Sequence, residues 1–481
     1  MVVVLAVLII RLWLIVLPSS FWIDEIATVF VAWHGSNHAS LLDAAPQAWQ
    51  SWYYPAMKIW GTVFGFSEVA MRVPSILAMG GVLVLVARLS ARLIHPESGW
   101  FAVFACLALR GINYQAANAR PYALGMFLFA ASLLFLVRWL DSARWLDAVG
   151  FIIGAASILY IHLLFWPSLL VFVLYAATRV GRRETHIGWG RLALVLIIWG
   201  ALLLPVFFET LHLLGEARAH VIAPPPSLGQ FLRSLKLLLV VLCGAGAWII
   251  ARLLKWPRPA ILLTMPAMLL VLGWWFCQPV IIACFSWITH ESLFVPHYLE
   301  LALPGTALAA TAAAAYFIPS GLWRRLSVVL GIGVLGFMGN WRELWPRHHG
   351  SDWRAAAQAV NRIETQAEIP VICPSPFIEA RPPVWRPNYP LPGFLYAHLD
   401  VYPIQGRIYL FPFEDSTQAE AYADSLAGTL SGSRRFLIYG WEPQVHFWRD
   451  WFRRSPEFAG WRMRHIGPFA DEDVVEFELI K

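Results

Sequence analysis

Charge is scarce in this chain. Asp, Glu, Lys and Arg make up 14% of its 481 residues, against about 25% in soluble domains. With 59% of residues hydrophobic, that shortage excludes a single large soluble core. The formal net charge is +6, yet no Lys/Arg block exists. Basic residues are dispersed at the ends of apolar segments, which is not the pattern of a nucleic-acid-binding surface. The cysteines Cys106, Cys243, Cys277, Cys284 and Cys373 have no metal-ligand spacing, and four lie in apolar runs. They read as small core residues. There is no Gly-rich phosphate loop, no Ser/His/Asp motif and no internal repeat at a fixed period. No small-residue cleavage site follows the first apolar run, so that run reads as a retained helix rather than a signal peptide.

What the chain does have is apolar runs of roughly 16–25 residues, each long enough to cross a bilayer. Mean hydropathy is +0.59, and the 26 tryptophans fit interfacial aromatic belts. About eleven spans are expected on length, at 2–17, 70–93, 99–113, 121–139, 148–161, 163–178, 192–209, 232–253, 259–277, 297–317 and 326–341. The 278–295 segment is too apolar for an ordinary loop and is expected to be re-entrant or interfacial. The polar, aromatic loop 18–68 is expected to hold two amphipathic helices, 24–33 and 52–64. Beyond Trp341 the composition turns polar. Strands are expected at 369–373, 435–439 and 474–480, and helices at 352–363, 416–430 and 447–458. The expected architecture is an α-helical polytopic membrane module, 1–344, followed by a small α/β domain, 345–481. Arg88, Arg92, Arg138, Arg144, Arg179, Arg182, Arg183, Arg191, Arg252, Lys255, Arg258, Arg324 and Arg325 fall in loops on one side. The positive-inside rule makes that side cytoplasmic. Loop 18–68 and the C-terminal domain are then outside, which in a bacterium is the periplasm beyond the inner membrane.

Two adjacent acids, Asp24 and Glu25, follow the first span. Asp24 fits the start of a helix, where acids are favoured. It also fits a functional site, because ionisable groups near the bilayer edge are costly to keep. Trp22-Ile23-Asp24-Glu25 resembles the D-E motif of the GT-C membrane glycosyltransferases. The likeness is to the glycosyltransferase family 39 group and to related bacterial enzymes that modify lipopolysaccharide with sugars from polyprenyl phosphates. Other segments match in order. Trp52-Tyr53-Tyr54, Ile59-Trp60 and Val63-Phe64-Gly65 resemble P-P-L-Y-Y…L-W…F-G. Ser67-Glu68 through Arg72-Val73-Pro74-Ser75 is similar to S-E-x-A-L-R-L-P-S. Ala119-Arg120-Pro121-Tyr122-Ala123-Leu124 is similar to E-A-R-P-Y-A-L. Tyr160-Ile161-His162 resembles Y-T-H, His297-Tyr298 with Leu303-Pro304 resembles R-Y…L-P, and Asp352-Trp353-Arg354 resembles D-W-R. The chain departs from the pattern at Gln50-Ser51, where the family has paired prolines, at Asn118, where it has an acid, and at His297, where it has arginine.

The resemblance implies a glycosyltransferase using a polyprenyl-phosphate-linked sugar, with a lipid, glycan or protein hydroxyl as acceptor, and with inversion. Asp24 is the expected general base, since an ionised carboxylate can take the acceptor proton. Glu25, about 100° around the helix from Asp24, is given a positioning role, or a metal-ligand role if a divalent ion takes part; no cofactor is otherwise implied. The leaving phosphate calls for cations. Arg120 is the leading candidate because guanidinium binds phosphate bidentately. Arg72, Lys58, Arg218 and His297 are weaker ones, and Tyr122, His162 and Tyr298 complete the expected substrate-binding set. Arg11, inside the first span, is expected to meet an acid or a carbonyl within the bundle. His348, His349 and Asp352 lack the spacing of a three-ligand zinc site, and no metal ligands are assigned. Two other classes fit the composition: a transporter of lipid-linked intermediates, and a non-catalytic polyprenyl-lipid-binding envelope protein. The absence of repeats and the clustering of charge at the outer interface count against the transporter.

Overall fold

The structure is a computed structural model describing residues 1–44, 51–217, 224–257, 259, 263–363 and 369–480, with backbone only at 211–217. By internal packing the chain forms two compact units. One is Met1–Leu17 with Arg72–Pro346, and the other is Pro18–Met71 with Arg347–Lys481.

The first unit is helical. Among the described residues, five helices are long and apolar enough to cross a membrane: Glu68–Leu93, Tyr122–Ser142, Leu163–Gly181, Trp189–Thr210 and Met265–Thr289. Leu228–Ser234 and Leu237–Leu253 make a sixth if counted as one span bent by 54°. At 1.5 Å per residue these lengths match a hydrocarbon core of about 30 Å. Other apolar runs form shorter pieces, such as Val2–Leu14 and Trp145–Ile161. The run at 99–113 is bent between Gly99–Leu107 and Arg110–Ala116.

One expectation is overturned here. Met265–Thr289 is a continuous helix with Pro279 inside it, so 278–295 is not a re-entrant segment. Proline in a soluble helix usually marks a stop. In an apolar helix the alternative to helical pairing is worse, and neighbouring segments take up the freed groups. The same helix is packed tightly. A Cβ on Gly305 would fall 2.7 Å from the main chain of Trp274 and Trp275, so only glycine allows this approach between helices. Three of the basic residues assigned to one side are ion-paired: Arg92 and Arg179 both with Asp141, and Arg138 with Asp147.

Arg11 lies in a short π-helical stretch, Ile10–Leu14, and is 7% exposed. Its guanidinium donates to four carbonyls, those of Gly339, Asn340, Glu343 and Leu344, at 2.5–2.8 Å, and lies over the Trp341 ring. It thus caps the C-terminal end of the Trp323–Met338 helix, where carbonyls have no intrahelical partner and the dipole favours a cation.

The second unit is built on a five-stranded sheet in the order β2-β1-β3-β5-β4. The strands are β1 (Pro370–Pro374), β2 (Arg407–Phe411), β3 (Arg435–Trp441), β4 (Arg462–His465) and β5 (Glu472–Glu478). β1 is parallel to both β2 and β3, while β5 is antiparallel to β3 and β4. β1 is buried along its length, as expected of a parallel strand covered on both faces. Edge strand β4 carries Arg462 and Arg464, which discourage further pairing. The 416–430 and 352–363 helices are found as Thr417–Gly432 and Trp353–Ile363. The helix expected at 447–458 starts earlier, at Glu442, and ends at Arg454.

Two buried titratable groups shape this unit. Burial pushes His398 down to about 3, so it is a neutral ring packed against Trp353 at 4.8 Å. Burial pushes Glu472 up to about 8 from an ordinary 4.5, although the Asp352 N–H it accepts and the Ser351 side chain pull the other way.

Two outcomes test these assignments. Arg11→Leu leaves several carbonyls unanswered and should cost about 3 kcal/mol, read as a lower unfolding temperature in detergent. Arg11→Lys should recover only part, because an ammonium cannot fork across four acceptors. For Glu472, the folded value is the higher one, so the native state holds a proton the unfolded chain has lost. That stabilisation is complete below pH 4.5 and disappears as pH rises through about 8. Glu472→Gln should flatten the decline in melting temperature across this window; an unchanged profile would refute the assignment.

Candidate active site

The acid-bearing segment belongs to the second unit. Asp24 and Glu25 occupy the first turn of the Ile23–His34 helix, with Trp22 as its N-cap. Acids here complement the helix dipole. Glu25 is fully buried and its Oε2 accepts the Trp22 N–H at 3.4 Å, the return half of a capping box. Asp24 is partly exposed, and its carbonyl accepts from the Thr28 hydroxyl. The two neighbouring acids are therefore divided in setting: one faces inward and holds the turn, the other is accessible.

Residues 347–402 fix the approach to this helix. The Tyr402 hydroxyl accepts the Phe21 N–H at 2.9 Å and donates to Glu68 at 2.8 Å. Burial, reinforced by the Glu68 charge, pushes the phenol up, so it retains the proton it donates. Arg354 pairs with Glu68 at 3.3 Å and donates to the Pro18 carbonyl, and its N–H reaches Ser20. The His349 ring stacks on Trp22 at 4.9 Å. At the far end of the helix, His34 meets Asp400 at 2.7 Å. The S-E and D-W-R motifs thus meet in Glu68 and Arg354, and both serve to hold the irregular segment that leads into Asp24. Lys58, in the same unit, is exposed and lies beside Gly35.

The first unit gathers the other expected residues. Tyr122 opens the Tyr122–Ser142 helix, His162 ends Trp145–Ile161, and His297 and Tyr298 lie in a 3-10 turn, Pro296–Ala302. Their rings form one cluster. Tyr122 lies 5.3 Å from both His162 and His297, His162 lies 5.6 Å from Tyr298, and His297 lies 4.5 Å from Tyr298. Arg120 lies two residues before Tyr122 and within electrostatic reach of His162. Arg72 is placed differently. It has no exposed surface, and it donates to the Leu17 carbonyl at 2.8 Å. Arg218 lies outside the described residues.

Two residues that sequence reasoning passed over support this cluster. Gln278, fully buried, donates to the carbonyls of Leu164 and Tyr298 at 2.6 and 2.9 Å and accepts from Ser168 at 2.9 Å. One amide therefore sets the turns carrying His162 and Tyr298. Its signal was available: a lone amide in a long apolar run is costly unless it has a task. Glu300 is the second. Gln115 donates to its carboxylate, and Asn118 donates to Gln115 at 2.9 Å. The position where an acid was expected, Asn118, is thus connected through one amide to a buried acid from another turn. Gly111 allows this, since a Cβ there would lie 2.6 Å from Glu300 Oε1.

Gln278→Leu should destabilise the protein by about 1–3 kcal/mol, because two buried carbonyls lose their donor. Thermal unfolding in detergent reads this against Ile288→Ala, an exposed position on the same helix. Equal losses would remove Gln278 from its bracing role.

Residues 52–202 match the family model described as dolichyl-phosphate-mannose-protein mannosyltransferase. No curated protein sequence matches the chain. Two solved structures are similar across nearly its full length. ArnT from Cupriavidus metallidurans in the apo state has a TM-score of 0.57 at 13% identity, covering 99% of this chain and 97% of that one. ArnT from the same organism bound to undecaprenyl phosphate has a TM-score of 0.53 at 13% identity, with the same coverage. Helix arrangement, sheet-bearing unit and ordered motifs lead to one conclusion: this chain is a multi-pass helical membrane protein with the GT-C fold of membrane glycosyltransferases.

Proposed function

We propose that the protein moves a sugar from a polyprenyl-phosphate donor to a hydroxyl acceptor, with inversion, on the outer face of a bacterial inner membrane. The observation that carries this reading is the end-to-end likeness to a fold solved with undecaprenyl phosphate bound, in a chain whose family motifs occur in order. Positive-inside topology supports the orientation.

The chemistry needs a base and a place for charge. Asp24 takes the acceptor proton as the hydroxyl oxygen attacks the anomeric carbon. The bond from that carbon to the phosphate oxygen breaks, and its electron pair leaves with the polyprenyl phosphate. Glu25 keeps the first helical turn in register and does not exchange the proton. Arg120 pairs with the phosphate through two parallel N–H groups. Tyr122, His162, His297 and Tyr298 supply ring faces and donors to the sugar phosphate. Arg72 and Lys58 contribute positive potential rather than direct contact. The acceptor is a lipid, glycan or protein hydroxyl, and membrane lipid surrounds the prenyl chain.

Asp24→Asn in purified protein should lower sugar transfer by about a hundredfold or more while leaving undecaprenyl phosphate binding intact. Arg120→Ala should do the reverse in part, weakening undecaprenyl phosphate binding. An undiminished transfer rate in Asp24→Asn would overturn the base assignment.

A further inference from the structure

We propose that His446, His465 and Asp473 form a zinc-type divalent metal site at the edge of the sheet. It uses none of the residues assigned to transfer and stands independently of that activity. The ligands come from three elements. His446 lies in the second turn of the Glu442–Arg454 helix. His465 ends β4 and Asp473 lies in β5.

The geometry suits a small tetrahedral ion. Asp473 Oδ2 lies 3.1 Å from His446 Nε2 and 3.3 Å from His465 Nδ1. All three atoms fall within 4.8 Å of one another. Ligand atoms bound at about 2.0 Å to a tetrahedral zinc stand roughly 3.3 Å apart. Three protein ligands leave the fourth corner to a water, the open arrangement zinc takes in many sites. The imidazoles meet edge to face, at 80°, so their nitrogens aim across the gap and the rings do not stack. Two imidazole nitrogens and one carboxylate oxygen are a donor set that suits zinc.

The site is also built. Asp473 is 1% exposed. Its Oδ1 accepts the Val474 N–H at 2.8 Å, and Gly467 passes so close that a Cβ would lie 2.5 Å from that oxygen. This fixes the carboxylate with Oδ2 facing the two histidines. Those side chains are 35% and 40% exposed, which leaves an ion a way in.

One neighbour opposes the ion. Arg449 Nη1 lies 3.4 Å from His465 Nε2. Without metal, Nδ1–H donates to Asp473 and Nε2 accepts from Arg449. Coordination through Nδ1 requires the ring proton on Nε2, which turns two donors toward each other. Arg449 must then swing away toward Asp450, which it already grips at 2.7 and 2.9 Å. Metal uptake therefore carries a signature in Arg449.

The test uses full-length protein in detergent, freed of any affinity tag, stripped with chelator and titrated with zinc sulfate. One zinc per chain should bind with a Kd of about 1 µM or tighter. Cobalt(II) in its place should give the visible absorption of a tetrahedral centre. His465→Gln combined with Asp473→Asn should weaken zinc at least about tenfold, and Arg449→Ala should tighten it. Wild-type protein that binds no zinc, or gives only an octahedral cobalt spectrum, overturns the proposal without recourse to any variant. So does a folded double variant that binds zinc as tightly as wild type.

Discussion

Backbone carbonyls at helix ends dominate the internal logic of this protein. In an apolar interior each carbonyl that loses its N–H must find another donor, because water does not reach it. The chain meets that demand with a few long polar side chains from distant segments. Arg11 closes the Trp323–Met338 helix, Arg72 holds the end of the first segment through Leu17, and Gln278 serves two turns at once. Each such side chain is buried at a cost that only several good acceptors offset. Helix packing and placement of the aromatic cluster consequently rest on the same handful of donors.

This explains how polar residues are divided between structure and chemistry. Arg72 and Arg120 both follow the family pattern and were read from the sequence as cations near the phosphate. Arg72 has no exposed surface, whereas Arg120 keeps some beside the clustered rings. Asp24 and Glu25 are divided in the same way. A pair that looks symmetrical in sequence becomes one buried brace and one accessible carboxylate, because consecutive helical residues point in different directions.

Much of the fold was legible from run length and period. Glu68–Leu93 and Tyr122–Ser142 were visible as apolar stretches, and the Ile23–His34 helix as an acid-capped start. The sheet was read in part: β1, β3 and β5 carry apolar runs, but β2 and β4 begin with exposed arginines and lack a clear alternation. The helix through Pro279 was misread because the proline signal is local, while its tolerance depends on neighbours. At the candidate site, the motifs named Tyr122, His162, His297 and Tyr298, and the structure brings their rings together. Gln278 and Glu300 were not legible as partners, because Gln278 joins Leu164 and Ser168, and Glu300 meets Gln115, across long separations in sequence. The His446, His465 and Asp473 group lies within a much shorter stretch of sequence and was missed for a different reason. A helix and a hairpin bring it together, and no short spacing announces it.

The hold of Tyr402 and Arg354 on residues 18–21 has a consequence in time. The ribosome makes the Asp24 segment early and the side chains that brace it almost last. At typical synthesis rates, on the order of tens of seconds separate the two. Throughout that interval the first acidic turn lacks the Phe21 and Glu68 contacts that set its approach. A chain stalled or cleaved before residue 354 would keep its motif and its apolar helices yet lack the Arg354 and Tyr402 contacts to residues 18–21. The approach to the first acidic turn is thus completed only when the last part of the chain has been made.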